Sequence, residues 1–322
     1  MTFPAADPFA SARRVDGRFV NASGHAQRGG LRVLKWFLTR RPEPWPKHVA
    51  NVPAALPAAR IDDARIRVTL IGHATVLIQV AGLNILTDPV WSERVGPLSW
   101  LGVKRTRPPA IAFAELPKID VVLLSHSHYD HLDRATLAAL ERRDRPVVVT
   151  GLKVGQVVPH DNVVELDWWQ RHPLRDDIAA TCVPAEHFSA RGPFDRNVTL
   201  WGGFVLETPA GAIYFAGDTA AGGHIAAIAE RFGPMTLSLL PIGAYLPQWI
   251  MAPVHMNPHE AVAAAETLRS RVTLPIHYGT IRLADDAIDE PLRVLKEALA
   301  SRPDDDLDFR VAEFGQAVDI SR

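Results

Sequence analysis

The stretch that decides the fold is Asp120-Val-Val-Leu-Leu-Ser-His-Ser-His-Tyr-Asp-His-Leu-Asp133. Its apolar beginning, residues 120–124, predicts a buried strand that leads directly into a functional loop. Imidazole and carboxylate groups, which zinc and similar cations prefer as ligands, crowd that loop. Within six positions it holds His126, His128, Asp130 and His131. Four clustered ligands exceed what one open catalytic site usually takes, so the loop predicts a metal centre and its spacing favours two ions.

Around this stretch the predicted strands first form meanders and then alternate with helices. Strands are predicted at 66–71, 75–80, 83–86, 120–124, 146–150, 163–166, 179–184, 200–207, 212–216, 237–241, 272–276, 309–314 and 317–320. Helices are predicted at 134–142, 152–158, 224–232, 258–268 and 290–300. This order predicts an α/β sandwich with the sheets inside and the helices outside.

Residues 1–65 have a different character and are predicted to be an irregular extension packed on the core domain, residues 66–322. The proline residues of this part prevent long helices: Pro42, Pro44, Pro46, Pro53 and Pro57. Residues 31–41 alone predict a short basic amphipathic helix. It either packs on the core domain or contacts a membrane surface.

Composition excludes several classes of protein. The chain has 322 residues, of which 47% are hydrophobic, and its 35 Lys and Arg nearly balance 36 Asp and Glu. This balance argues against a nucleic-acid partner. No run approaches the roughly 20 apolar residues of a membrane span, and the first residues lack the apolar stretch of a signal peptide. The single Cys182 excludes an intramolecular disulfide framework and a cysteine-rich zinc site. We expect a cytoplasmic enzyme; peripheral membrane contact and homodimer formation are left open.

The loop His126-Ser-His-Tyr-Asp-His131 resembles the HxHxDH signature of the metallo-β-lactamase superfamily. Later landmarks of that superfamily follow in order, each after an apolar run: His187 in Pro184-Ala-Glu-His187, Asp218 in Phe215-Ala-Gly-Asp218, and His277 in Pro275-Ile-His277. Relatives that hydrolyse β-lactams commonly use a cysteine at the second metal. Cys182 lies outside every landmark, which argues against that activity and predicts a buried core residue.

Five further motifs resemble the family of phospholipases D that hydrolyse N-acyl-phosphatidylethanolamine: Ile71-Gly-His-Ala-Thr-Val76, Glu165-Leu-Asp-Trp-Trp169, Arg231-Phe-Gly-Pro234, Pro241-Ile-Gly-Ala-Tyr245 and Val254-His-Met-Asn-Pro-His-Glu-Ala261. The resemblance covers residue 66 to the C-terminus and, more loosely, residues 17–46. It implies a four-layer αββα sandwich with a dinuclear zinc site at its edge. Its ligands would be His126, His128 and His187 for one zinc ion, Asp130, His131 and His277 for the other, and Asp218 as the bridge.

Charge counting predicts the chemistry of such a centre. Two zinc ions, two carboxylates and a bridging hydroxide leave about one positive charge, which favours an anionic substrate and transition state. We therefore expect attack of a metal-bound hydroxide on a phosphodiester, with Asp130 and Asp218 as catalytic residues. His255 is a candidate general acid or substrate-positioning residue. Iron or manganese would suit the same ligands as zinc.

The substrate implied by the resemblance is N-acyl-phosphatidylethanolamine or a related glycerophospholipid. Two alternatives stay open at this point. One is a hydrolase of another small anionic ester or a phosphorylated lactone. The other is a non-catalytic metal-binding protein, which would be expected to have lost ligands, whereas all seven are present.

Several other residues are predicted to support the centre. Asp88 and Asp133 are expected to hydrogen-bond ligand imidazoles, with a turn former and a helix cap as the respective alternatives. His73 is predicted either to support a ligand from behind or to pack beside it, rather than to bind metal. Apolar residues that either line a groove for acyl chains or pack in the core are Trp168, Trp169, Tyr245, Trp249, Ile250 and Met251.

Overall fold

The structure is a computed structural model of the 322-residue chain, and it describes residues 9–24, 30–62, 65–302 and 307–321, with the side chain of Leu31 left aside. The parts of the predicted extension at residues 1–8, 25–29 and 63–64 lie outside the described residues. The strands are β1 (Arg14–Val15), β2 (Arg18–Phe19), β3 (Ile66–Gly72), β4 (Thr75–Val80), β5 (Leu83–Thr87), β6 (Arg94–Leu98), β7 (Leu101–Lys104), β8 (Val121–Leu124), β9 (Val147–Gly151), β10 (Val163–Leu166), β11 (Arg171–Arg175), β12 (Ile178–Val183), β13 (Gly203–Thr208), β14 (Gly211–Phe215), β15 (Leu237–Pro241), β16 (Val272–Ile276) and β17 (Ala317–Ile320). The helices are α1 (Leu31–Thr39), α2 (Arg134–Arg143), α3 (Gly223–Phe232), α4 (Gln248–Met251), α5 (Pro258–Thr267) and α6 (Glu290–Ala300).

Two large sheets form the centre of the molecule. The first has seven strands in the order β10-β9-β8-β5-β4-β3-β17, and the second has six in the order β11-β12-β13-β14-β15-β16. Helix α2 packs on the outer face of the first sheet, while α5 packs on the second sheet between α3 and α6. The predicted four-layer αββα sandwich is confirmed.

Alternate side chains of one strand face different layers. In β8, Val121 and Leu123 point into the core between the sheets, whereas Val122 and Leu124 pack with the residues of α2. The continuous apolar sequence of β8 suits a strand that is buried on both faces. It pairs in parallel with β5 and β9, which fixes the position of the histidine-rich loop that follows it.

Two helices begin at side-chain caps. Asn257 Oδ1 accepts the Glu260 backbone N–H at 3.0 Å, and Glu260 Oε2 accepts that of Asn257 at 2.8 Å, which completes a capping box for α5. Asp133 Oδ1 accepts the Ala135 N–H at 3.1 Å and caps α2. The start of α2 in turn holds the C-terminal end of the histidine-rich loop.

Most predicted elements agree with the structure to within a few residues. The strand predicted at 309–314 is wrong, because only Phe309 pairs there, in an isolated parallel bridge with Thr273. The helix predicted at 152–158 is reduced to a 3-10 turn at Val154–Val157. The hairpin of β6 and β7 was not predicted.

The described part of residues 1–65 is tied to the rest of the fold. Phe19 is fully buried, and Asn21 Oδ1 accepts the indole N–H of Trp201 at 3.0 Å. Helix α1 is anchored by Trp36, whose Nε1 donates to Asp285 Oδ2 at 2.9 Å. This contact joins α1 to Asp285, while the predicted extension of residues 1–65 and its boundary stay predictions. Among the described helices, none combines the length and apolarity needed to cross a membrane.

Candidate metal centre

The candidate ligands lie where strands of both sheets end. His126 and His128 follow β8 of the first sheet, and His187, Asp218 and His277 follow β12, β14 and β16 of the second. These three strands of the second sheet run in the same direction, since β12 and β14 are both antiparallel to β13 and β14–β16 are parallel. The residues after them therefore meet at one edge of the sandwich.

One group consists of three imidazoles whose ring nitrogens face each other. His128 Nδ1 lies 2.8 Å from His126 Nε2 and 3.3 Å from His187 Nε2. Two nitrogens bound to one tetrahedral zinc ion at about 2.0–2.1 Å would be roughly 3.3 Å apart. The three side chains thus have the spacing of a metal site.

A second group is built on Asp130. Its Oδ2 lies 3.1 Å from His131 Nε2 and 3.5 Å from His277 Nε2. Asp218 Oδ2 lies 3.1 and 3.2 Å from the same two nitrogens and 3.6 Å from His187 Nε2. One carboxylate oxygen of Asp218 therefore faces both groups, and the structure brings all seven predicted ligands together.

The donor atoms of this centre suit a cation. His131 Nε2, His277 Nε2 and Asp218 Oδ1 are buried, and none makes a well-directed hydrogen bond with a described residue. Burial by itself would lower the pKa of His277, but Asp218 and Asp130 outweigh it and raise that pKa to about 9. Burial would raise the pKa of Asp218, but His131 and His277 hold it well below its usual range. The two carboxylates thus make the centre attractive to positive charge.

Outer hydrogen bonds orient the ligand rings. Asp88 Oδ2 lies 2.6 Å from His131 Nδ1, and its carboxylate accepts the backbone N–H and the hydroxyl of Ser125 at 2.7 and 2.6 Å. His187 Nδ1 donates to the Val254 carbonyl at 2.8 Å. These contacts turn the Nε2 atoms of both rings toward the centre. The predicted contact of Asp88 with a candidate ligand imidazole is present, and its role toward a metal stays a prediction.

Of the two roles predicted for Asp133, the helix cap is confirmed and the contact with a ligand imidazole is wrong. Its carboxylate accepts the backbone N–H groups of Ser92 and Ala135 at 3.0 and 3.1 Å and the Thr136 hydroxyl at 2.6 Å, and no ligand imidazole contacts it. The helix cap satisfies this carboxylate locally. Asp133 therefore stabilises the end of the loop instead of orienting a ligand.

The backbone around the centre is unusual. Asp88, His73 and His277 have φ angles of 32°, 55° and 60°, in the left-handed region that non-glycine residues rarely adopt. Gly217, next to Asp218, has φ +59°, and a Cβ there would lie 2.6 Å from Ser125 Cβ. Such strain is typical of functional sites that the surrounding fold holds in place.

His255 lies beside the centre. Its Nδ1 is 4.0 Å from Asp218 Oδ2, and the side chain is 12% exposed. Burial lowers the pKa of His255 to about 4. The ring is therefore neutral at neutral pH, which argues against an imidazolium acid and leaves the role of a hydrogen-bond donor or acceptor.

An apolar cavity of about 700 Å³ opens next to the centre. Glu186 and Phe188, which flank His187, line it together with Val254. Of the predicted groove residues, Trp249, Ile250 and Met251 also line it. Trp168, Trp169 and Tyr245 do not line it and are buried.

Among the cavity residues that were not predicted as groove residues are Arg32, Trp36, Phe188 and Arg196. Arg32 and Trp36 come from α1, far from the metal ligands in sequence. The guanidinium of Arg196 lies 4.0 Å from the ring centroid of Phe188, and that ring lies 4.5 Å from the ring of His128. No local sequence signal marks Arg196, because its position depends on the folded loop.

Comparisons with known proteins agree with this geometry. Residues 83–278 match the family described as "Beta-lactamase superfamily domain". The chain is 39% identical to an uncharacterized protein of Mycobacterium tuberculosis (strain ATCC 25618 / H37Rv), over 94% of this chain and 83% of that protein. It is 35% identical to the N-acyl-phosphatidylethanolamine-hydrolyzing phospholipase D 1 of Caenorhabditis elegans, over 79% of this chain and 75% of that protein. A solved structure of Igni18, a metallo hydrolase from Ignicoccus hospitalis, has a similar fold, with a TM-score of 0.60 and 22% identity over 80% of this chain and 99% of that one.

Proposed function

The chain belongs to the metallo-β-lactamase superfamily, and on this premise we propose that it is a metal-dependent hydrolase that cleaves the phosphodiester bond of N-acyl-phosphatidylethanolamine-like glycerophospholipids. The observation that carries the proposal is the seven-residue His/Asp centre next to an apolar cavity lined by two arginines. The similarity to the phospholipase D of Caenorhabditis elegans supports the choice of substrate.

We propose a dinuclear centre. His126, His128 and His187 would hold one cation, and Asp130, His131 and His277 the other, with Asp218 between them. Divalent cations bound there supply Lewis acidity and activate water for attack. Zinc suits these ligands, as iron and manganese also do.

The charge of the ligands selects the substrate. The two carboxylates of the centre, Asp130 and Asp218, neutralise only two of the four charges of two divalent cations. The remaining positive charge favours an anionic ester such as a phosphodiester over a neutral one. Both carboxylates act by holding this charge in place, and both residues are largely buried, with 9% of Asp130 and 3% of Asp218 exposed.

His255 would serve the reaction as a neutral side chain. It lies at the side of Asp218 and follows Val254, which lines the cavity. From this position its ring can hydrogen-bond the substrate oxygen that departs with the leaving group. We therefore propose His255 as a catalytic residue that positions this oxygen by donating a hydrogen bond from its neutral ring.

The cavity would take an apolar chain of the substrate. Its wall includes Trp36, Trp249 and Met251. The outer face of α1 next to it exposes Leu34, Phe37 and Leu38, which are 54%, 60% and 77% accessible. A basic helix with exposed apolar side chains is typical of peripheral contact with a lipid surface. Such contact would bring the lipid to the mouth of the cavity.

The test is hydrolysis of N-acyl-phosphatidylethanolamine. The zinc-loaded protein is incubated with this lipid in mixed micelles, and phosphatidic acid and N-acylethanolamine are measured by mass spectrometry. We expect both products in equal amounts. The absence of both from a protein shown to hold its metal would reject the lipid substrate, and soluble anionic esters and phosphorylated lactones would be tested in its place.

Arg196 is expected to bind the anionic group of the substrate. It is half-buried between the cavity and the ring of Phe188, close to the ligand His128. Losing a charged hydrogen-bond donor to a bound anion costs about 1.5–3 kcal/mol. Arg196→Gln should therefore raise KM for the phosphodiester by roughly 10- to 100-fold, with a smaller change in kcat.

The Arg196→Gln variant should hydrolyse a neutral carboxylic ester with a nearly unchanged KM. Arg231→Gln is the matched control, since Arg231 also lies over aromatic rings, those of Trp169 and Phe232, but away from the cavity. An equal rise in KM for charged and neutral substrates would show that Arg196 shapes the cavity and does not recognise charge.

A further inference from the structure

His73 is a buried histidine outside the seven proposed ligands. It lies in the turn between β3 and β4, is 2% exposed and has a left-handed backbone with φ 55°. Its Nε2 lies 2.9 Å from Asp130 Oδ2. A buried polar side chain in a strained conformation, bonded to a candidate ligand, indicates a functional constraint.

His73 also contacts His277. The two ring centroids lie 4.0 Å apart, and the His73 carbonyl accepts the His277 backbone N–H at 2.9 Å. The His73 backbone N–H itself donates to Thr280 Oγ1 at 3.1 Å. One residue thus supports both Asp130 and His277, which belong to the second cation position, and none of its contacts described here involves the first group.

The contacts distinguish a supporting residue from a ligand. His73 forms one group with Asp130, His131 and His277 whose spacing could hold a metal ion, so it is the contact with Asp218 that separates it from the other two histidines. His131 Nε2 and His277 Nε2 lie within 3.2 Å of Asp218 Oδ2, whereas His73 pairs with Asp130 alone of these two carboxylates in the described residues. The geometry fits a donor to Asp130 Oδ2, the same oxygen that faces His131 and His277.

We propose that His73 is a positioning residue that donates its Nε2–H to Asp130 and thereby sets the affinity of the second cation position alone. The inference rests on the proposed dinuclear centre and deepens it. Outer hydrogen bonds to metal ligands typically change metal affinity by about 10- to 100-fold. The first position, built from three imidazoles that His73 does not touch, should keep its affinity.

The test is a zinc titration of the metal-free full-length protein by calorimetry, followed by visible spectra with cobalt. His73→Asn removes the contact, because the shorter amide does not reach Asp130, and Asn tolerates the left-handed backbone. His73→Gln keeps a donor at the distance of Nε2. His172→Asn, at a half-buried histidine of β11, is the control.

We expect wild type to bind two zinc ions. His172→Asn should bind each of these ions with the same affinity as wild type. His73→Asn should bind the first ion within about threefold of wild type and the second about 10- to 100-fold more weakly, and His73→Gln should recover most of this loss. Two ions with unchanged second affinity in His73→Asn, or equal weakening of both positions, would overturn the role of His73 alone. A wild type that binds one ion would overturn the dinuclear centre itself, and the role of His73 with it.

Discussion

Asp218→Ala is expected to lower turnover by about 10³-fold or more, a larger loss than the roughly 10- to 100-fold that removal of an outer hydrogen bond causes. The reason is its place in the centre. Asp218 Oδ2 lies within 3.6 Å of His131, His187 and His277, so that its loss damages both cation positions together. The measurement is kcat with N-acyl-phosphatidylethanolamine, together with the zinc content of each preparation.

Two variants control this experiment. Asp218→Asn keeps the shape of the side chain but loses its charge, and we expect a loss of activity close to that of alanine. Asp177→Ala removes an exposed carboxylate paired with Arg175 and should leave turnover unchanged. A folded Asp218→Ala protein with wild-type turnover would show that this carboxylate does not belong to the catalytic centre.

The part of the site that could be predicted from the sequence is the part encoded by local pattern. The apolar run 121–124 is buried on both faces, so the sequence shows a strand without alternation, and the ligands follow it directly. His187, Asp218 and His277 likewise follow strands β12, β14 and β16. A strand end fixes the position of the next few residues, and this is why spacing and order carried the prediction.

The cavity could not be predicted in the same way. Its wall combines Trp36 of α1, Arg196 of the loop after His187 and Met251 of α4, which are far apart in the chain. Paired tryptophans such as Trp168 and Trp169 looked equally suitable, yet the indole N–H of Trp168 donates to the Trp201 carbonyl inside the core. The sequence around an aromatic residue does not distinguish a place in the core from a place in a cavity wall.

Competition between local and long-range partners explains the remaining differences. Asp133 was expected at a ligand ring, but the first turn of α2 offers it nearer N–H groups, and the cap satisfies it. Asp88, with no helix to cap, accepts from Ser125 and contacts His131. Two aspartates with the same predicted role thus differ because only one of them precedes a helix.

Removal of the metal is expected to abolish hydrolysis and to lower the thermal stability of the protein. A bound ion adds about 2.7 kcal/mol of unfolding free energy at a free concentration of 100 Kd. A centre with two such positions should therefore gain about twice that amount, in two steps, when zinc is returned. Titration of the chelated protein, followed by unfolding in denaturant at each zinc concentration, measures both the number of ions and their contributions.

Variants that damage one group of ligands at a time test whether the two groups bind separate ions. His187→Ala removes a nitrogen that lies 3.3 Å from His128 Nδ1 in the first group, and His277→Ala removes one that lies 3.5 Å from Asp130 Oδ2 in the second. Each variant damages one group and leaves the other group complete. Each should therefore retain one ion and about half of the zinc-dependent stabilisation. Neither variant should hydrolyse the substrate. His172→Ala should behave as wild type. Loss of both ions from either variant, or full stability of wild type with one equivalent of zinc, would show that the two groups act as one mononuclear site. A single cation would then have to activate water and bind the phosphodiester.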